Sequence, residues 1–537
     1  MKGPVSCFKS FVPYRLRIGL FILFTIVFQF ANVTYISLLG DIAGATQFYK
    51  EDISFAYQIS TIGVTFIFPV LFRFRFRFTS QQMLVACSLL LALLMLVCIV
   101  TTSLPLLIIC AFFIGALKMI GAFETLISIQ LIITPNKDYG VFFSVALGII
   151  LLCGQVSGTV AVLLADRFDW RMMYVIMMAV LAIQAVLMLL IMRPFRMFKK
   201  LPLYGIDWWS MVHWSILFSL ISYILMYRQV LDWFASEKIT MVTLFATLWL
   251  LLIIYRTFTH RRAFIQPQVF RLKNVNTAIV ILIITQIFLN TTGSILGPFT
   301  GSVMHLDKLH TGALNWWIAA GVLIGACFGF WWFTRINWSF RYIFAIGFAS
   351  LTLHHALLYF AFGYNAGEQQ LYLPYFLKGF GNIILFAAAG KYMAIGANPA
   401  IYTQMLCYVA MFRNVLGNAV AGAVYNNQAY KLSQEYLQKL SGKMDATDTQ
   451  NYMARLYSQS IKLGGSTSDA NILSSKAIYA RISREAMLLA GRDIFGWVTL
   501  FGIVILAALA LYHFALPVVR PIPSWRRIFT AVRTQAE

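Results

Sequence analysis

Uninterrupted apolar stretches recur along almost the whole chain. A helix that crosses the hydrocarbon core of a bilayer needs about 20 apolar residues, and we count about fourteen stretches of that length. Because 60% of the 537 residues are apolar and only 11% are charged, a water-soluble fold would be left with a large apolar surface. The sequence therefore predicts an all-α integral membrane protein. Its spans, numbered in chain order, are 17-40, 52-72, 80-102, 105-133, 140-165, 171-192, 210-227, 239-256, 276-300, 313-334, 341-361, 370-392, 403-426 and 494-517.

The basic residues indicate how the chain crosses the membrane. The formal net charge is +23, but the basic residues lie in short clusters between apolar runs, such as Arg73, Arg75 and Arg77. Lys and Arg are retained on the cytoplasmic side, and with the N-terminus inside, most of them fall in inner loops. We therefore expect a protein of the plasma (inner) membrane with both termini cytoplasmic, surrounded by the lipid bilayer, and no nucleic-acid partner.

One long polar segment, 427-493, separates the last two spans and is expected on the outer side. It contains two stretches with helix-like spacing, Asn426 to Leu463 and Ala470 to Leu489, with a Gly/Ser/Thr break between them. Two interpretations stay open. The segment is either a solvated helical hairpin or a docking surface for a periplasmic adaptor protein.

Signatures of enzymes and metalloproteins are missing from the sequence. The seven cysteines lie mostly inside apolar runs and show no CxxC pair or zinc spacing. There is no Gly-rich phosphate loop, which argues against an ATP-driven pump, and no paired nucleophile and base. We expect no enzymatic activity, no cofactor and no metal site.

An internal repeat is indicated by spans 4 and 12. Leu117 to Gly121 reads Leu-Lys-Met-Ile-Gly, and Leu377 to Gly381 reads Leu-Lys-Gly-Phe-Gly. If spans 7 and 8 are an insertion, spans 4 and 12 take equivalent places in two six-helix halves. The predicted organisation is a first bundle at 1-200, an inserted helix pair at 201-262 and a second bundle at 263-537.

Spans 5 and 6 carry the clearest family resemblance. Gly154 and Gly158 in the Gly-rich span 5 are followed by a corner made of Asp166, Arg167, Trp170 and Arg171. This segment, together with "GDIAGATQF", "RQVLDWFASEKI" and "FRNVLGNAVAGAVY", resembles the fourteen-helix drug/proton antiporter family of the major facilitator superfamily. The resemblance implies two six-helix bundles with an inserted helix pair, transport by alternating access, export, and a structural or gating role for the residues of this segment.

The chain also departs from the family pattern. The loop after span 2 is "FPVLFRFRFRFTS" and lacks the Asp and Gly residues usual there, which puts gating by that loop in doubt. Ala31 stands where the acid of helix 1 is expected, and Gly40 replaces the proline that follows it. Span 5 lacks the proline of the antiporter signature. Proton coupling must therefore use another acid.

Four ionisable side chains lie deep in predicted spans: Lys118, Glu124, Lys378 and Arg413. Each costs on the order of 3 kcal/mol in the bilayer and therefore faces water, a partner or a substrate. In the superfamily arrangement Lys118, Glu124 and Lys378 would surround one central cavity, with Arg413 beside it in a structural or gating role. Glu124, the only deep acid, is the predicted proton site, and the two lysines are predicted to bind substrate. The alternative is that these charges form interhelical salt bridges.

The geometry of one helix separates Lys118 from Glu124. Six residues correspond to about 120° around the helix axis and about 9 Å along it. At least one of the two side chains should therefore contact another helix.

Uncharged polar residues complete the predicted site. Asn32 and Tyr35 in span 1 and Gln155 in span 5 are expected to line the cavity, although ordinary interhelical hydrogen bonding is an equal alternative. His354 and His355 are expected to serve in packing. The predicted function is proton-coupled export of amphipathic organic compounds or drugs, with an organic anion favoured over an organic cation. An uptake carrier of the same fold and a membrane scaffold without transport activity are the alternatives.

Overall fold

The computed structural model describes residues 7–133, 138–196, 203–204, 206–260, 263–336, 338–363, 366–395, 401–444, 446–462 and 466–512. Its regular elements are helices, and the prediction of an all-α protein is confirmed. They are α1 Tyr14–Phe30, α2 Leu39–Ala45, α3 Lys50–Phe66, α4 Leu71–Arg77, α5 Ser80–Val100, α6 Leu104–Ile133, α7 Tyr139–Arg167, α8 Met172–Ile191, α9 Trp208–Tyr227, α10 Glu237–Thr259, α11 Pro267–Phe270, α12 Lys273–Thr291, α13 Gly297–Ser302, α14 Lys308–Trp331, α15 Phe340–Ala361, α16 Gln369–Met393, α17 Tyr402–Ala410, α18 Asn418–Ser441, α19 Ala446–Lys462 and α20 Thr467–Leu511.

Within the described ranges, 12 helical stretches are long and apolar enough to cross a membrane. They correspond to twelve of the predicted spans, and the other two predicted spans are also helical. Span 1 is divided between α1 and α2, and span 13 is divided between α17 and α18. Residues 31–35 are not helical and interrupt span 1, whereas in span 13 the π-helical turn Met411–Gly417 joins α17 to α18 without a break.

Span 1 is broken near its middle instead of running on to residue 40. Helix α1 ends at Phe30, Ala31 is extended, and the chain becomes helical again only at Ile36. The side chains of Asn32 and Tyr35 both donate to the carbonyl oxygen of Phe30, at 3.3 and 2.9 Å. Backbone groups freed in a membrane must find other partners, and here side chains supply them.

Three further spans contain π-helical turns, at Thr292–Leu296, Trp332–Ile336 and Met411–Gly417. Such turns widen a helix locally and leave carbonyl oxygens free for other donors, and they are frequent at functional sites. One of these oxygens is used between the two halves of the chain, because Gln58 Nε2 on α3 donates to the carbonyl of Val415 at 3.1 Å.

The helix contacts repeat along the chain. In the first half, α6 packs against α1, α3 and α5, and α5 packs against α8. In the second half, α16 packs against α12, α14 and α15, and α15 packs against α20. The repetition supports two six-helix bundles of the same design. The boundaries 1-200, 201-262 and 263-537 stay predictions.

Glycines set how the repeated helices cross. A Cβ atom on Gly115 would overlap the carbonyl oxygen of Ser60, so α6 crosses α3 in backbone contact. A Cβ atom on Gly379 would overlap the carbonyl oxygen of Ile318, so α16 crosses α14 in the same way. The crossings make Gly115 equivalent to Gly379. The match of Leu117–Gly121 with Leu377–Gly381 is therefore shifted by four positions, about one helical turn. Lys118 and Lys378 lie on equivalent helices but about 6 Å apart in depth.

The inserted pair α9 and α10 bridges the halves. Tyr227, the last residue of α9, donates a hydrogen bond to Asp52 on α3. The next residue, Arg228, is buried, and its Nη2 donates to the carbonyl of Ala423 on α18 at 2.8 Å. Helix α10 packs chiefly against α9 and exposes a row of large apolar residues, as expected for a helix facing lipid.

The segment predicted to lie outside, 427-493, continues two membrane helices. Helix α18 extends to Ser441, α19 packs against α20, and α20 runs without a break from Thr467 to Leu511. The predicted stretch 470–489 and span 14 are thus one helix of 45 residues, about 68 Å long. No proline interrupts it, which explains the continuity. Residues 513–537, with the end of the predicted span and the C-terminus, lie outside the described residues.

Candidate substrate-binding site

Lys118 lies beside the break in span 1. Its Nζ donates to the backbone carbonyl of Gln29 at 2.9 Å and to Asn32 Oδ1 at 2.6 Å. The carbonyl of Gln29 belongs to the last turn of α1, where helical partners run out. The structure therefore brings two predicted site residues, Lys118 and Asn32, into direct contact and uses the lysine to hold the unwound segment.

Lys378 occupies a similar setting in the second half. Its Nζ donates to Thr292 Oγ1 at 2.7 Å. Thr292 is the first residue of the π-helical turn that follows α12, the helix equivalent to α1. In each half, a lysine of the fourth helix thus binds the first helix at the point where regular α-helix stops.

Neither lysine has an acidic partner among the described residues, whose ion pairs involve other basic side chains. The partners of Lys118 and Lys378 are a carbonyl, an amide and a hydroxyl oxygen, all neutral. Two cations at intermediate exposure are therefore hydrogen-bonded without being neutralised. Such an arrangement attracts an anionic group.

Glu124 lies in a different environment. Its side chain is 1% exposed and forms an ion pair with Arg75 of α4 at 3.4 Å, and Ser80 Oγ donates to Oε1 at 2.6 Å. As expected from their spacing, Glu124 and Lys118 contact different helices. The partners of Glu124 and Lys118 lie in the first half and that of Lys378 lies in the second. That Lys118, Glu124 and Lys378 surround one central cavity therefore stays a prediction.

The remaining polar candidates have mostly local partners. Tyr35 is buried, and its ring packs edge-on against Tyr174 at 5.8 Å. Gln155 is partly exposed on α7, and its backbone carbonyl accepts from Thr159 at 3.2 Å. The structure does not place Gln155 in contact with either lysine.

The Gly-rich helix α7 forms a long contact with the second half. A Cβ atom added to Gly154 would contact no other atom. The backbone carbonyl of Gly158 accepts a hydrogen bond from the Ser37 hydroxyl at 2.9 Å. Nearer the start of α7, a Cβ atom on Gly148 would lie 2.9 Å from the Cβ atom of Ala326 on α14. Of the two predicted glycines, Gly158 thus contacts the chain after the break in span 1.

The two halves contact each other at both ends of this interface. Lys308 at the start of α14 forms an ion pair with Asp41 of α2. At the opposite end, Lys391 of α16 lies 3.8 Å from Asp138, the residue before α7. An ion pair thus joins the halves at each end of this side of the interface.

The corner after α7 is exposed. Asp166, Arg167 and Arg171 all lie at the surface, and Trp170 is buried beneath them. The guanidinium carbon of Arg171 lies 5.3 Å from the centre of the Trp170 ring, an arrangement typical of a cation–π contact.

Arg413 is buried in the π-helical turn Met411–Gly417. Its Nη1 donates to Asn414 Oδ1 at 2.7 Å, and its guanidinium stacks 3.5 Å from the centre of the Phe386 ring. Nε has no hydrogen-bond partner among the described residues. His354 and His355 are completely buried, and their Nδ1 atoms donate to the backbone carbonyls of Pro374 and Leu351, as expected for packing residues.

Sequence reasoning missed three residues of the site. Arg75 and Ser80, which bind Glu124, both lie in the arginine-rich segment "FPVLFRFRFRFTS", and Thr292 binds Lys378. Arginines set among apolar residues at 73–77 were the available signal, because an arginine is almost never fully buried unless it is paired. Nothing local marks Thr292.

No protein-family model and no curated protein sequence matches this chain. Among solved structures, a crystal structure of tetrameric PepTSo2 in space group I4 resembles it with a TM-score of 0.53 at 11% sequence identity. The likeness covers 92% of this chain and 98% of that chain. It extends over both halves and shows the fold. The chain therefore shares its all-α fold with that structure.

Proposed function

We propose that this protein is a secondary active transporter that works by alternating access, a proton-coupled exporter of amphipathic organic compounds or drugs like the fourteen-helix antiporters it resembles. The observation that carries the proposal is the pair Lys118 and Lys378, each bound to an interrupted first helix of its own half. Interrupted helices that present free backbone groups are typical of substrate sites in transporters.

The charge of the site supports an acidic substrate group. Lys118 and Lys378 bind only neutral oxygen atoms among the described residues, whereas Glu124 is paired with Arg75. An organic cation held by Glu124, the alternative considered from the sequence, would have to displace Arg75. The Phe-rich composition suits an apolar substrate body, and an amphipathic organic anion therefore fits best.

Glu124 is the proposed proton acceptor. Protonation of its carboxylate would remove the charge that holds Arg75 and would free α4, which joins α3 to α5. Because α3 packs against α6 and, through Gln58, contacts Val415 in the second half, a change at α4 has a route to the interface between the halves. Export, the plasma membrane and two cytoplasmic termini belong to the same proposal.

A transport screen in proteoliposomes tests this function. With an imposed pH gradient, we expect accumulation of an amphipathic aromatic carboxylate and little accumulation of a matched quaternary ammonium compound. Dissipating the gradient with a protonophore should abolish the accumulation. Accumulation of the ammonium compound alone would reject an anionic substrate. Transport in the direction opposite to export would identify an uptake carrier. No flux of either compound would favour a scaffold without transport activity.

The segment 427-493 is proposed to dock a periplasmic adaptor. Helices α18 and α20 both belong to the second half and continue without a break into the segment, and α19 packs on α20. Tyr436 on α18 is bound to Asp493 on α20, and this hydrogen bond raises the pKa of the tyrosine. Exposed apolar side chains, Ile472, Leu473 and Tyr479, follow the start of α20.

Deletion of residues 430–488 tests the adaptor proposal. We expect the shortened protein to insert into the membrane at close to the normal level but to lose copurifying adaptor. The triple replacement of Ile472, Leu473 and Tyr479 by Ser is a milder companion that leaves the helices in place. Equal copurification with the complete and the shortened protein would contradict the proposal.

A further inference from the structure

A cavity whose lining includes neither Lys118 nor Lys378 lies within the first half. It has a volume of about 390 Å³, and its lining includes residues of α2, α5 and α8. Its wall includes Val33 and Thr34 from the break in span 1, Leu107 from the first turn of α6, and Trp170 and Arg171 at the start of α8. The volume is within the range of about 300–1,000 Å³ usual for small-molecule sites.

The cavity is amphipathic. Val33, Ile53 and Leu107 are buried apolar side chains on its inner wall. Gln47, Thr102 and Arg171 are exposed and lie at its mouth. A ligand that fits this distribution has an apolar body and a polar head.

The charge of the cavity favours a ligand with an anionic head group. Arg171 is the only charged residue among those that line it, and its guanidinium rests on the ring of Trp170, which also lines the cavity. Arg171 immediately precedes the 20-residue helix α8, whose first turn contains no acidic residue. The positive end of that helix and the guanidinium both favour an anion.

The wall nearest to the lysine site contains an unsatisfied polar atom. Thr34 is buried, and its hydroxyl oxygen has no hydrogen-bond partner in the described part of the chain. Buried hydroxyl groups rarely stay without a partner. Thr34 lies two residues after Asn32, which binds Lys118, so the same unwound segment contacts the lysine on one side and the cavity on the other.

We propose that this cavity binds an amphipathic organic anion, with its acidic group at Arg171 and its apolar part against Val33, Ile53 and Leu107. The site goes beyond the proposed function, which places the transported substrate at Lys118 and Lys378. A molecule bound here contacts the segment that positions Lys118 and is therefore suited to change the affinity of the lysine site. The same chemistry is offered by a free fatty acid and by an anionic lipid whose chain enters the cavity.

Photolabelling of the intact protein in phosphatidylcholine nanodiscs tests the site. The probe is octanoate that carries a diazirine at its far end, with the matching alkyl trimethylammonium compound as the cationic control. We expect the octanoate label in peptides that contain residues 98–107 and 168–174, and much weaker labelling by the ammonium compound. Equal labelling by the two probes would overturn the anion assignment.

Two pairs of variants locate the label. Gly40 and Gly44 both lie on α2 with open space beyond the Cβ position, but only Gly44 lines the cavity. Gly44→Leu should therefore abolish the label and Gly40→Leu should keep it. Arg171→Gln should weaken labelling about fivefold, the size of a partly exposed ionic contact, and Arg167→Gln should not. Labelling that none of the four changes would reject the site.

Two further measurements separate this site from the transport site and identify the source of the ligand. In the Lys118→Gln variant, residues 98–107 should still be labelled, whether or not that variant transports substrate. Loss of this label would show that the cavity and the lysine site are one site. Adding phosphatidylglycerol to the nanodiscs should displace octanoate if a lipid is the natural ligand. An undisturbed label identifies a free organic anion instead.

Discussion

Lys118→Gln and Lys378→Gln should each lower kcat/KM for an amphipathic carboxylate by about 50-fold, since a charge-assisted hydrogen bond contributes about 1.5–3 kcal/mol. Glutamine keeps a donor for the neutral oxygen atoms that now bind each lysine but removes the charge. The measurement is initial uptake into proteoliposomes at several substrate concentrations. Transport of an uncharged amphipathic compound should change little.

The controls separate charge from structure. Lys118→Arg keeps the charge and should retain more activity than Lys118→Gln. Lys273→Gln removes an exposed lysine at the start of α12 and should leave transport unchanged. Carboxylate transport that is undiminished in both glutamine variants would reject the two lysines as the substrate site, and faster transport of a cation in them would revive the cationic substrate.

Glu124→Gln is expected to abolish proton-driven accumulation while exchange of internal for external substrate continues. The amide still accepts from Ser80 but cannot bind and release a proton. Because Arg75 would lose its buried partner, we also expect a lower unfolding temperature, and breaking such a pair costs about 3–5 kcal/mol. Accumulation with and without a pH gradient, together with thermal unfolding, checks both expectations.

A neutral pair distinguishes a proton site from a structural ion pair. Arg75→Gln combined with Glu124→Gln removes both charges of the ion pair and should regain stability. If Glu124 only fixes packing, this double variant will also regain proton-driven transport, and the proton assignment fails. Asp52→Asn, which alters the other buried acid of the first half, is a matched control and should keep proton coupling.

The charged candidates show how far sequence reasoning reaches. The residues that carry charge deep in the spans are evident because charge is rare and costly in a bilayer. Their partners are not evident. Lys118 binds a residue 86 positions earlier, and Glu124 binds Arg75, whose role depends on the position of α4 against α6. Such pairings depend on how distant helices pack, which local pattern does not encode.

The repeat between spans 4 and 12 shows the same limit. A five-residue match correctly related α6 to α16, but the glycine contacts with α3 and α14 shift the true register by about one turn. Backbone contact at a crossing is a property of two helices together. A match within one helix at a time cannot fix it.

The pattern of apolar runs is enough to predict an all-α membrane protein and the place of nearly every span. The reason is local, since the length of an apolar run is compared directly with the thickness of a bilayer in which the backbone must satisfy its own hydrogen bonds. The break after Phe30, the single helix from Thr467 to Leu511 and the partner of each buried charge became evident only in the folded chain. These features follow from contacts between segments far apart in the chain, where side chains replace lost backbone partners and packing sets the register.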